Sequence, residues 1–145
     1  MFTKVMPPEA RLQKWRNFRE SYDVSAGPDA LLEEFDSIKI LPRYLDFWTP
    51  STWPNVFDIV AEGHFCQSGV TLVMAATLHN LGFINSKEIQ LDSISNFETG
   101  REGLVLVYNN ECYNFLPGKI VDLQHARNNS SLFETHIITI DKLYA

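Results

Sequence analysis

The spacing of apolar residues changes once along the chain, from steps of three and four up to Leu81 to simple alternation beyond it. Between Pro8 and Tyr22, the positions Leu12, Trp15, Phe18, Arg19 and Tyr22 fall on one side of a helix, and Pro7 and Pro8 suit its first turn. Ser25-Ala-Gly-Pro28 interrupts this pattern and starts a second helix, with Leu31, Leu32 and Phe35 inward and Glu33, Glu34 and Asp36 as a solvated acidic side. From Leu41 to Pro54 the chain is rich in proline and aromatics (Pro42, Tyr44, Phe47, Trp48, Pro50, Trp53, Pro54), which regular helix or central strand would resist. An ordered, aromatic-packed connection is predicted there. Asn55 to Glu62 reads as a short helix stopped at Gly63, and Cys66 to Leu81 as a longer one closed by Gly82. In that longer helix Val70, Val73, Met74, Thr77 and Leu81 cover one face, while Leu72, Ala75, Ala76 and Leu78 fill much of the rest. A helix apolar nearly all round belongs in the middle of a domain.

After Gly82, Ile89 and Leu91 alternate with Glu88, Gln90 and Asp92 in a predicted strand. Gly103 to Tyr108 and Cys112 to Leu116 read as a hairpin around Asn109-Asn110-Glu111, whose asparagines tolerate positive φ. A turn at Pro117-Gly118, a strand from Lys119 to Leu123, a polar loop through Asn128 to Ser131, and a last strand from Thr135 to Ile140 complete the chain. Helices first and strands afterwards predict an α+β domain: N-terminal helices and one buried central helix packed on an antiparallel sheet. We divide the single domain, 1–145, into an N-terminal helical part, 1–40, and a core, 41–145.

Composition narrows the function. With 145 residues, 45% apolar and 21% charged, the chain can bury one sizeable core. The longest apolar run, Gly69 to Leu78, is about half of the roughly 20 residues a membrane span needs. Met1 to Pro8 carries no apolar signal region, so the expected setting is soluble and cytoplasmic. A net charge of −6 argues against nucleic acid and anionic membrane as partners. The basic residues gather in the first helix, where Lys4, Arg11, Lys14, Arg16 and Arg19 face only Glu9 and Glu20. That segment either docks on an acidic protein partner, through Arg11, Lys14, Arg16 and Arg19, or packs against the chain's own acidic body. Oligomeric state is not legible at this level.

Cys66 is the residue with chemistry to offer. A cysteine at a helix N-terminus meets unpaired N–H groups and the positive end of the macrodipole, which favour a thiolate. The segments Trp48-Thr-Pro50, Gly63-His-Phe-Cys66 and Leu78-His-Asn-Leu-Gly82-Phe resemble the start of the transglutaminase-like (papain-like) cysteine peptidases. Glu102-Gly-Leu-Val-Leu-Val-Tyr108 followed by Glu111-Cys-Tyr-Asn114-Phe is similar to the paired strands that carry those enzymes' catalytic histidine and its orienting aspartate or asparagine. The likeness runs from Trp48 to Asp122 and implies a papain/transglutaminase-like core over 41–145.

This chain departs from that pattern in its chemistry. At the histidine position stands Glu102, or Gly103 if the register slips by one. A thiol hydrolase needs a base with a pKa near neutrality, which glycine lacks and an exposed glutamate supplies poorly. Asn114 keeps the orienting position without an imidazole to orient. If the protein is active, the catalytic set is Cys66, His136 and Asn114, because His136 alternates with Ile138 and Ile140 on the inward face of the last strand; His64 as base and Asp122 as orienter are the variants. His64, Cys66 and Cys112 lack a fourth zinc ligand, Ser68 lacks a nucleophile elbow, and Gly100 to Gly103 is not a phosphate loop. No cofactor and no metal are expected. Trp48, Trp53 and Phe57 are candidates for core packing or for an exposed aromatic patch. Trp-Thr-Pro-Ser-Thr-Trp-Pro54 and Phe-Cys-Gln-Ser-Gly69 also resemble uncharacterised tailed-phage proteins, which implies a virion component or host-directed accessory protein. The reading these residues favour is a non-catalytic interaction or structural protein on a degenerate thiol-hydrolase-like scaffold. Its alternative is a cysteine hydrolase or acyl transferase with a relocated histidine.

Overall fold

The structure, a computed structural model, describes Phe2, residues 6–41 and residues 45–145. Lys4 of the basic segment and Pro42 and Tyr44 of the aromatic connection lie outside the described residues. Four helices come first: α1 (Pro8–Ser21), α2 (Gly27–Phe35), α3 (Val56–Glu62) and α4 (Gln67–Asn80). The strands β1 (Glu88–Asn96), β2 (Glu102–Tyr108), β3 (Glu111–Tyr113), β4 (Ile120–Asp122) and β5 (Ser130–Thr139) follow, with α5 (Leu123–Asn128) between the last two. They form one antiparallel sheet in the order β4-β3-β2-β1-β5. The fold is α+β.

Two apolar layers sandwich the sheet. On one face α4, buried without a break from Ser68 to Leu78, packs with Trp15, Leu31 and Leu32 of the preceding helices onto Leu91, Leu104, Leu106 and Ile138. Full burial of each such aliphatic side chain contributes about 1.5–3 kcal/mol, so this layer dominates the core. On the other face Ile94, Val105, Cys112 and Phe115 lie under Ala126 of α5. The expected loop after Leu123 is thus partly helix. Only Ala126 of α5 is buried, and six mostly polar residues hold too little periodicity to be read from sequence.

The strand boundaries differ from expectation for backbone reasons. Asn109 and Asn110 take φ of 50° and 62°, a two-residue hairpin turn with both centres left-handed, so Glu111 joins β3 instead of the loop. Asn114, at φ 69°, ends that strand at Tyr113, short of the expected Leu116. In the other direction β1 and β5 run longer than alternation suggests, because the polar residues Ser95 and Asn96 pair with Ser131 and Ser130. Backbone hydrogen bonding sustains that end of the ladder without an apolar pattern. A bulge between Ser93 and Ile94 interrupts the register there.

Candidate functional site

Cys66 is the N-cap of α4, and its Sγ accepts the Gly69 N–H at 3.3 Å. The turn that presents it is pinned from before: Phe65 is buried, bridges Ile40, and accepts the Leu41 N–H at 2.8 Å. Half-buried itself, Cys66 opens on two adjoining cavities. The first, of about 310 Å³, has an apolar wall of Ile40, Leu41, Leu45 and Phe47, faced by Cys66, Gln67, Ser68, Arg101 and Glu102. In the second, of about 270 Å³, Cys66 is joined by His64, Glu62 and Asp46.

Glu102, the first residue of β2, therefore shares a cavity with the thiol. Gly103 offers no alternative site for a base. A Cβ built there would lie 2.9 Å from the Ser68 Oγ, and that hydroxyl is held in place by accepting the Leu104 N–H at 3.0 Å. Ser68, Gly103 and Gln67 thus shape the site by their packing, a role the sequence pattern did not assign them. An isolated glycine opening a strand was the available signal, since it marks a close backbone approach.

The three residues set out as a catalytic set line no cavity in common among those described. His136 is buried at 6% exposure, with Nε2 2.9 Å from the Ser93 Oγ and 3.0 Å from the Phe47 carbonyl oxygen, and Trp53 edge-on to its ring at 5.5 Å. It lines neither cavity at Cys66. Asn114 donates from Nδ2 to the Thr71 Oγ1 at 2.9 Å and lines a separate small cavity with Gln67 and Arg101. Of the four histidines, His64 shares one of these two cavities with Cys66; His125 pairs with Glu98 at 2.6 Å and His79 sits beside Tyr144. Asp122 ends β4, directly opposite Glu111.

Cys112 lies in the layer under α5, 1% exposed. Burial pushes its thiol up to about 12, and the nearby Asp92 carboxylate adds to the effect. Among the described residues no group of three or more His, Cys, Asp or Glu is placed to hold a metal. Nor is any described helix long and apolar enough to cross a membrane.

The basic residues of α1 are partly engaged at home. Arg11 donates from Nε to the Val60 carbonyl at 3.0 Å, and from its two terminal nitrogens to the carbonyls of Met6 and Ala61. Arg19 lies over the Trp15 ring at 4.0 Å, where burial lowers its pKa. Arg16 pairs with Glu20 at 2.9 Å on the surface, and Lys14 is exposed. Of the three aromatics considered for a patch, Trp53 is buried, while Trp48 and Phe57 are exposed at 47% and 40%.

A buried helix opened by a cysteine and laid across an antiparallel sheet, with β2 starting beside the thiol, is a transglutaminase-like, cysteine-protease-type fold. Solved structures that it matches include those of LapG from Legionella pneumophila. The calcium-bound form superposes with a TM-score of 0.67 at 13% identity, covering 94% of this chain and 81% of LapG. A second LapG structure gives 0.65 at 13% identity over 91% and 79%, and an EGTA-treated form 0.66 at 12% over 91% and 77%. At this identity the likeness is one of fold. No family model and no curated protein sequence matches the chain, and the resemblance to tailed-phage proteins gains no support.

Proposed function

We propose that the chain is a non-catalytic interaction or structural protein on a thiol-hydrolase-like scaffold. One observation carries this reading: the strand residue that shares the thiol's cavity is Glu102, and the neighbouring position, Gly103, has no room for a side chain while Ser68 stays in place. His136, tied to Ser93 and the Phe47 carbonyl, acts as a core hydrogen-bonding residue that anchors the aromatic connection to β5. The cleft at Cys66, with one apolar and one charged wall, is then a surface for holding a protein segment. On α1, Lys14 and Arg16 are the exposed cations left to meet an acidic partner.

A cysteine hydrolase is the second reading, and the shared cavity of Cys66 and His64 favours it. The rate of Cys66 alkylation by iodoacetamide against pH, in a Cys112→Ala background, separates the two. For a scaffold protein, His64→Ala and His136→Ala leave the pH profile unchanged. A low-pH plateau in the parent that disappears in His64→Ala marks a thiolate–imidazole pair and overturns the non-catalytic reading. His64 is exposed, so its replacement leaves the fold intact.

A further inference from the structure

Two segments far apart in the chain meet at the bulge of β5. The connection before α3 lays its aromatic rings against that strand: Phe47 and Trp48 are 5.4 Å apart, and Trp48 and Phe133 5.0 Å. The run stays partly open, with Trp48 47% and Phe133 37% exposed. It is also held in place, since the Ser93 hydroxyl donates to the Phe47 carbonyl at 2.6 Å and the Trp53 indole N–H to the Asp46 carbonyl at 2.6 Å. A ligand would meet rings that are already ordered. Two exposed carboxylates flank the run. Asp46 accepts the Trp48 backbone N–H at 2.9 Å. Glu134 stands opposite Ser93 in the β1–β5 ladder, and paired residues share a face of the sheet; because Ser93 turns its hydroxyl to Phe47, Glu134 lies on the face that carries the connection. Among the described residues neither carboxylate has an ion-pair partner. Residues 45–54 and 130–136 contain no lysine or arginine. Across the Cys66 cavity from Phe47 stand Arg101 and Glu102, one of each sign.

We propose that this surface binds an arginine-bearing segment of a partner protein, with the guanidinium against the rings of Trp48 and Phe133 and its N–H groups directed to Glu134 and Asp46. Charge selects the occupant. A purely apolar partner would strip water from two carboxylates and give them nothing in return, and an acidic one would be repelled. The net charge of −6 draws a basic segment toward the molecule. Shape then selects arginine over lysine. A guanidinium is flat and weakly hydrated, so it packs on aromatic rings while presenting donors in its plane to a carboxylate. An ammonium is compact and strongly hydrated and does the two at once less well. The chain already contains one such contact, Arg19 over Trp15 at 4.0 Å; Trp48 carries no cation of a described residue. The surface stands on this geometry alone and needs no reactive thiol at Cys66.

The test uses the full, isotope-labelled chain and the peptide N-acetyl-Gly-Arg-Arg-Gly-amide, with the Lys-Lys peptide beside it. The indole N–H groups of Trp15 and Trp53 are bonded inside the protein, whereas that of Trp48 makes no hydrogen bond to a described residue. Its NMR signal, assigned by its loss in Trp48→Phe, is the reporter. It should move saturably with the arginine peptide while the Trp15 signal stays still, and it should move less with the lysine peptide. Glu134→Gln and Phe133→Leu should each weaken binding by about threefold, the worth of an exposed ion pair or an exposed cation–π contact. Both residues are exposed, and unshifted Trp15 and Trp53 signals in the free variants show that the fold is kept. A Trp48 signal unmoved up to about 10 mM peptide, beyond the millimolar range such a contact supplies, would overturn the proposal. So would an affinity indifferent to both variants, or equal binding of the two peptides.

Discussion

At Gly103 the missing side chain lets β2 come up against the first turn of α4, where the Ser68 hydroxyl caps the Leu104 N–H. Gly103→Ala should cost about 1–3 kcal/mol by urea denaturation, as over-filling a packed contact does. Ser68→Ala combined with it should cost less than the sum of the two, because the clash has gone. A second residue-scale prediction concerns Asp92, 1% exposed and ion-paired to Arg127 at 2.8 Å, with Thr135 and Gln90 also donating to it. Arg127→Met strands a buried carboxylate and should destabilise by about 3 kcal/mol. Adding Asp92→Asn should recover part of that loss. In sequence, Asp92 reads only as a polar position of an alternating strand. Its partner lies on a helix that periodicity did not reveal.

Among elements, α1 and α3 show how the same residue type is used in two ways. α3 ends in Gly63 with φ 73°, and its last carbonyls, Val60 and Ala61, have no partner within the helix. Arg11 reaches across from α1 and supplies one. Replacing it with Met should therefore cost about 2 kcal/mol, the usual worth of hydrogen bonds from a charged donor. Arg16→Ala on the same helix should change stability by less than about 0.5 kcal/mol, since its pairing with Glu20 is fully on the surface. Thermal or urea unfolding of the two variants side by side checks both values. The helix itself was legible from Leu12, Trp15, Phe18 and Tyr22, but the division of labour among its cations was not. A guanidinium looks alike in sequence whether it caps a neighbour, lies on a tryptophan or faces water.

For the whole molecule, pH acts through β3. Burial pushes both Cys112 and Tyr113 up to about 12, with Asp92 adding to the first and Glu111 to the second. Both hold their protons in the fold at pH values where the unfolded chain releases them. Their contribution to stability is therefore complete below about pH 9, the ordinary thiol range, and is lost as pH rises toward 12. The urea midpoint should be flat below pH 9 and fall steadily above it, and Cys112→Ala should reduce the slope of that fall. A midpoint independent of pH between 9 and 11 would contradict the burial of these groups.

The amino-acid sequence by itself determined the order of helices and strands, the central place of α4, and Cys66 at its start, because those depend on periodicity and capping that neighbours in the chain carry. It also showed Glu102 where the enzymes it resembles carry histidine, since a residue type needs no coordinates to be noticed. Only the tertiary structure decided that His136 bonds Ser93 and the Phe47 carbonyl, that Asn114 bonds Thr71, that His64 shares a cavity with Cys66, and that β5 is left at the open edge of the sheet. Each of these depends on contacts between residues far apart in the chain, and such contacts are set by packing and strand order, which no local pattern records.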